Sequence, residues 1–260
     1  MSPLPKFSID FSEEFPTLDA APSIEAVIHW QAKASKPLER QALQDELTQR
    51  LPDYPICQPQ QDIQIAASGT SDGTSEVSHR TQWNGFRLQD EQGLHVAQFT
   101  PSGVIFSRLK PYEKWEAFKN EAIRFWELFL ELAEPPTIKR LGVRYINQIP
   151  LAGKRPSAYL NIEPCPLPGI APSSETFFYQ DTYPVPDYPY RINWVRTIQP
   201  QQQTLVDQKA LIVDIDVFTT TELLELNQES LNQRLREMRW LKNKVFFSSI
   251  TQTALEQFGA

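Results

Sequence analysis

Asp214 and Asp216 stand two apart in the stretch LIVDIDVF. An extended strand turns successive side chains to opposite faces, so both carboxylates project from one side, close enough to share a divalent cation. A metal held there would suit phosphoryl transfer. A third carboxylate is needed to complete such a centre, and the sequence does not single one out. Arg140, Arg144 and Arg191 bear on the same question. Arg140 and Arg144 share a strand face four residues apart, and Arg196 has the opposite parity from Arg191. A guanidinium in a sheet binds carboxylate or phosphate, or it pairs with a neighbouring acid. Structural ion pairs are commoner than sites, so pairing with Asp214, Asp216 or helix glutamates is the expected use.

Other reactive side chains are sparse. His29, His79 and His95 are the only histidines, and no HxH, HxxxH or CxxC spacing occurs, which argues against zinc. Cys57 and Cys165 both lie in proline-rich connections and read as free thiols in a reducing cytosol. The chain has 9 Gly, and no GxxxxGK[ST], GxGxxG or GxSxG motif is present. No cofactor is expected on those grounds. Arg234, Arg236, Arg239, Lys242 and Lys244 surround Trp240 as the one basic cluster of an acidic chain. They would suit a nucleotide, a nucleic-acid backbone or an acidic partner. The plainer reading, adopted here, is the solvated side of an amphipathic helix, with cations near its C-terminal dipole.

These residues need elements to position them. Residues 111–150 organise the chain. Trp115, Phe118, Ala122, Phe125, Phe129 and Leu132 follow helical spacing and predict a long core helix. Residues 139–149 then alternate as a central strand, with Leu141, Val143, Tyr145, Asn147 and Ile149 on one face. Before this lie a strand near residues 23–32, a helix opened by Pro37, a polar surface loop over 63–80 and a three-strand meander over 84–109. After it come a strand at 159–163, a second meander over 176–218 and a final helix capped by Asn227, with Leu231, Leu235, Met238, Leu241 and Val245 as its stripe. The pattern predicts an α+β fold: a large, mainly antiparallel sheet with two long amphipathic helices packed on one face. Residues 1–21 form an irregular acidic arm, and residues 22–260 form a single domain with pseudo-repeated halves at 22–138 and 139–260.

Composition limits the partners. The formal charge of −7 argues against nucleic-acid coating and against an anionic membrane surface. The start of the chain has no basic region followed by an apolar run, so no signal peptide is expected, and a cytoplasmic location is. No apolar run approaches a membrane span.

The stretches SIEAVIHW, PYEKWEAFKNEAIRFWELF, IKRLGVRYINQI, AYLNIEP and LIVDIDVF, with the closing FFSSIT, resemble a sporadically distributed family of bacterial proteins with no characterised function. The resemblance spans about residues 22–258. It implies a soluble bacterial protein, and it supplies no catalytic residues. Gln148 stands where many of these relatives have a basic residue. Sporadic distribution suggests a mobile-element or defence context. The function expected is a non-catalytic binding or interaction module, with a protein partner or small ligand. The alternative is a divalent-metal-dependent enzyme acting on a phosphate-containing substrate.

Overall fold

The computed structural model describes residues 7–69, 75–112, 114–161, 169, 176–200, 209–224 and 227–259. Nine strands form one sheet: β1 (Ser23–Gln31), β2 (Ile56–Gly69), β3 (Ser75–Gln89), β4 (His95–Thr100), β5 (Gly103–Leu109), β6 (Arg140–Pro150), β7 (Phe178–Pro184), β8 (Arg191–Pro200) and β9 (Lys209–Thr219). Their order is β2-β3-β4-β5-β1-β6-β9-β8-β7, and every pairing is antiparallel. Among the described residues three helices accompany it, α1 (Arg40–Arg50), α2 (Trp115–Ala133) and α3 (Gln228–Ser249), followed by the short α4 (Gln252–Gln257). The architecture is α+β.

Alternation along the central strands separates two chemistries. Ala26, Ile28 and Trp30 of β1 are fully buried. The register sets Ile28 opposite Phe106 and Val143, and Trp30 opposite Val104 and Leu141. These residues therefore share one face, and β6 continues it with buried Tyr145, Asn147 and Ile149. The other parity presents Glu25, Val27 and His29 beside Arg140, Gly142 and Arg144, with Asp214 and Asp216 on the next strand.

Helix α2 meets the apolar parity through aromatic rings. Trp126 stacks on Trp30 with centroids 5.7 Å apart. Phe118 and Phe125 lie 5.8 and 5.2 Å from Phe106, and Phe129 lies 5.2 Å from Phe99. Offset and tilted pairs like these add about 0.5–1.5 kcal/mol each beyond the area they bury. Helix α3 begins at Asn227, whose side chain accepts from the Ser230 N–H at 2.9 Å, and it packs against β9 and β6.

Two expected elements take a different form. Residues 63–80 are not a loop: the backbones of β2 and β3 pair as a long ribbon as far as Gly69 opposite Ser75. Ladder hydrogen bonds satisfy such a backbone whatever its composition, so the richness in Gly, Ser and Thr misleads. Residues 70–74 lie outside the described set. The strand expected at 159–163 is also absent from its described part. A single 3-10 turn, Pro156–Ala158, leads into Leu160, which makes only an isolated bridge to Ile250. The Asn161 N–H donates to Ser249 and the Thr251 N–H donates to Tyr159, so this segment pairs with the end of α3 rather than with the sheet. No helix among the described residues is long and apolar enough to cross a membrane.

Phe125 is fully buried against Phe106 and edge-on to Tyr54 at 4.8 Å. Phe125→Ala is expected to lower unfolding free energy by about 3–5 kcal/mol through the cavity it leaves. A urea titration of both proteins checks this, and an unchanged midpoint would remove α2 from the core.

Candidate functional site

The polar parity of the sheet brings four of the sequence-selected residues together. Arg144 clamps Asp214 with both arms: Nε donates to Oδ1 at 2.8 Å and Nη2 to Oδ2 at 2.5 Å. Arg140 donates from Nη2 to Asp216 Oδ2 at 2.7 Å and from Nη1 to His29 Nδ1 at 3.1 Å. A Cβ on residue 142 would lie 2.8 Å from that Nη1, so Gly142 is what lets Arg140 fold across the strand. The Arg140 guanidinium also lies over the Phe218 ring at 4.7 Å. Burial first, and then the Arg140 charge, push the His29 pKa down to about 4, so His29 is a neutral acceptor. Burial pushes the Asp216 carboxyl up against the opposing pull of Arg140 and Arg144.

This arrangement is a closed set of ion pairs. Each aspartate is taken up by its own guanidinium, and among the described residues no group of three or more His, Cys, Asp or Glu could hold a metal ion. Arg191 stands exposed at the start of β8, opposite Phe218, and makes no ion pair with either aspartate among the described residues. Arg196 is buried, paired with Asp181 and stacked on Trp194 at 3.8 Å. Cys57 is a free, half-buried thiol whose pKa burial raises, which makes it a poor nucleophile. Cys165 and the side chain of His79 lie outside the described residues.

A cavity of about 870 Å³ lies elsewhere, between the start of α2, the C-terminal half of α3 and the N-terminal arm. Its apolar wall comes from Phe15, Leu18, Phe246 and Phe247. Its polar residues include Tyr112, Lys114, Glu116, Tyr145, Asn147, Arg239 and Lys242. Lys242 Nζ sits 3.8 Å from the centre of the Tyr145 ring, and Arg239 leans over Trp115 at 5.5 Å on the rim. Neither cation has a carboxylate partner among the described residues. Desolvation, and then repulsion from Arg239, bring the Lys242 pKa down to about 7. The Tyr112 and Tyr145 hydroxyls share one hydrogen bond of 2.6 Å, which leaves the pair a second O–H to donate. Burial raises both phenol pKa values, so both stay protonated.

Local sequence explains the placement. Leu231, Leu235, Met238, Lys242, Phe246 and Ser249 recur at helical spacing, and all except Lys242 are buried apolar or small residues. A half-buried lysine therefore interrupts the buried stripe of α3. Helix α2 starts at Lys114 with no side-chain cap, and Lys114, Trp115, Glu116 and Ala117 line the cavity. The N–H groups of that first turn, together with the helix dipole, favour an anion. Residues 7–22 carry no helix or strand and wall the outer side. Phe15 stacks on Phe247 at 5.5 Å, Lys244 reaches Glu13 at 2.6 Å, and Arg236 covers Phe11 at 4.1 Å.

The basic cluster of α3 is therefore divided. Arg236 and Lys244 hold the arm, whereas Arg239 and Lys242 face the cavity. Treating the cluster as one solvated face missed this division. The available signal was Lys242 falling on the Leu235–Met238 stripe, with Arg239 one turn before it. No family model matches the chain, and none of the curated proteins matches it.

Asp216 and Arg140 are mostly enclosed, while the Arg144 side chain is 46% exposed. Asp216→Asn is expected to lower stability by about 1–3 kcal/mol by leaving Arg140 short of an acceptor. Asp214→Asn should cost less, because water solvates its released partner. Denaturation midpoints test the ranking. A melt of the wild type that rises sharply with Mn²⁺ and loses that rise in the double variant would instead identify a metal site.

Proposed function

We propose that this protein is a non-catalytic binding module for a small anionic ligand, held in the cavity between α2, α3 and the arm. The observation that carries the reading is Lys242 with Arg239: two cations without carboxylate partners among the described residues, set on a cavity, in a chain of net charge −7. Partly desolvating a lysine costs stability, and proteins retain such costs at sites of use. The volume is in the range of ordinary ligand sites, and an apolar wall facing a few convergent donors is their usual make-up.

The architecture lends support. In this reading both long helices cover the apolar face of the sheet and meet over β6, which leaves the ion-paired face to the other side. The first half runs as β1, α1, the four-strand meander β2 to β5 and then α2, and the second as β6, the three-strand meander β7 to β9 and then α3, each meander returning beside the half's first strand. In the strand order β5 flanks β1, β9 flanks β6, and β1 and β6 adjoin. That arrangement favours two pseudo-repeated halves with the cavity near their junction. The stretches behind the family resemblance also converge there: Tyr112 and Trp115 from PYEKW, Tyr145 and Asn147 from RYIN, and Phe246 and Phe247 from FFSSIT. Membership of that bacterial family, a cytoplasmic location and a mobile-element or defence context remain parts of the proposal. The alternative, a metal-dependent enzyme centred on Asp214 and Asp216, has less support because both carboxylates are engaged by arginines.

Thermal melts in phosphate, sulfate, pyrophosphate and acetate test the reading. At least one of these anions is expected to raise the midpoint, since a ligand at about 100 times its Kd stabilises by ~2.7 kcal/mol. Lys242→Met and Arg239→Gln should each weaken the effect. A wild-type midpoint indifferent to all four anions would overturn the proposal.

A pH titration gives an independent check. Lys242 loses its proton near pH 7 in the fold, whereas in the unfolded chain a lysine holds it to about pH 10.4. Between those values the unfolded chain binds more protons, so this residue makes stability rise with pH. Lys242→Met should remove that rise and increase stability at neutral pH. Parallel stability–pH curves for the two proteins would contradict the placement of the amine.

A further inference from the structure

We infer that the outer edge of β7 is a self-association surface: it pairs antiparallel with β7 of a second copy of this chain, about a two-fold axis centred on Gln180. The surface lies outside the cavity proposed for the anion.

The two edges of the sheet differ in kind. β2 closes one side, and Pro59 with the register shift between Pro59 and Gln61 interrupts its rim. A proline and a bulge are ordinary means of blunting an edge strand against pairing. β7 closes the other side with an unbroken register, and its one proline, Pro184, is its last residue. No lysine or arginine stands on it. Every residue of β7 except Asp181 is exposed, with Phe178 at 65% and Tyr183 at 48%. Among the described residues no other strand carries more than one exposed large apolar side chain.

The backbone shows which groups are free to pair. The Val185 N–H donates to the Tyr190 carbonyl at 2.9 Å. The ladder steps by two from that pair, so Tyr183, Asp181 and Tyr179 turn their N–H and C=O groups inward to β8. Phe178, Gln180 and Thr182 turn theirs outward, where no further strand follows among the described residues. Those groups are what an added strand would take up.

Symmetry selects the occupant and the register together. A two-fold axis sets one residue opposite itself. With Gln180 at the axis, Gln180 exchanges both ladder bonds with Gln180 of the second copy, and Phe178 exchanges both with Thr182 of the second copy. No outward group from Phe178 to Thr182 is left over. With Asp181 at the axis, two carboxylates would face each other. With Thr182 there, Gln180 would meet Pro184, which has no N–H to give. The Gln180 register is also complementary in charge. Tyr179 faces Asp181 of the second copy, so a phenol O–H meets a half-exposed carboxylate that Arg196 pairs from within its own chain. On the same side Phe177 faces Tyr183 of the second copy, which extends the tilted Phe177–Tyr179 contact of 5.1 Å toward the second copy. A strand whose own residues satisfy one another under this symmetry fits a second copy of itself.

Sedimentation equilibrium of the full chain tests the pairing. The wild type is expected to pass from monomer to dimer between about 1 µM and 1 mM, the range of a small interface. Gln180→Lys and Gln180→Glu should each weaken dimerisation by about 10-fold or more, because like charges then meet at the axis. An equimolar mixture of the two variants should recover it, because opposite charges then meet. Gln180→Pro should abolish the dimer and leave the melting temperature of the dilute chain nearly unchanged, since the N–H it removes is not used by β8. If that variant fails to fold, the charge variants decide. A wild type that stays monomeric to ~1 mM overturns self-pairing and leaves the edge to an extended segment of another protein. Dimerisation indifferent to both charge variants overturns the β7 surface. Loss in both without recovery on mixing overturns the Gln180 register. Assemblies larger than a dimer overturn the closed two-fold arrangement.

Discussion

The fold depends on the contact between the rings of α2 and the central strands. β1 sits in the middle of nine strands, and its alternate residues are fully buried. A sheet this wide needs its apolar face covered along its length, and a helix can do so only with large side chains at successive turns. α2 brings Phe118, Phe125, Trp126 and Phe129 onto Phe106, Trp30 and Phe99. That contact fixes where α2 begins, and therefore where Lys114 to Ala117 stand relative to α3.

The opposite parity of the same strands follows a different rule. A polar group removed from water must find a partner, and a charge must find an opposite charge. Arg140 and Arg144 are supplied with Asp216 and Asp214 from the neighbouring strand, and the residual acceptor need of Arg140 is met by neutral His29. Fully satisfied networks of this kind fix register, since a one-residue slip of β6 against β9 would turn the aspartates away from the arginines. The network is thus sufficient as a structural device, with no ligand required to explain it.

Much of this was legible in the chain because it depends on period alone. The helical spacing of Trp115 to Leu132 and the alternation of Leu141 to Ile149 both correspond to observed elements, and Asn227 caps α3. The failures have physical causes. Polarity marked residues 63–80 as a loop, but ladder hydrogen bonds are indifferent to side-chain polarity. Tyr159 and Leu160 have strand-like composition, yet their burial comes from the end of α3, a contact made across about ninety positions of sequence. The cavity was hidden for a similar reason. Its walls come from the arm, the turn before α2, β6 and α3, and no local pattern joins those four segments.

Lys242 shows how a candidate site can nevertheless leave a trace in sequence. A buried stripe filled to optimise stability would place an apolar residue between Met238 and Phe246, where methionine would fill the volume without a desolvated charge. The arm could have supplied the missing acid, and it does carry Glu13, but Glu13 is directed to Lys244 instead. α2 could have supplied it too, but Glu116 pairs within its own helix. Two acids on adjoining segments are thus engaged elsewhere, while the one lysine of the stripe is left facing open volume beside a second cation. Packing does not require that combination and charge pairing does not produce it. The proposed recognition of an anion would account for it, because the ligand would then supply the partner that the described residues do not.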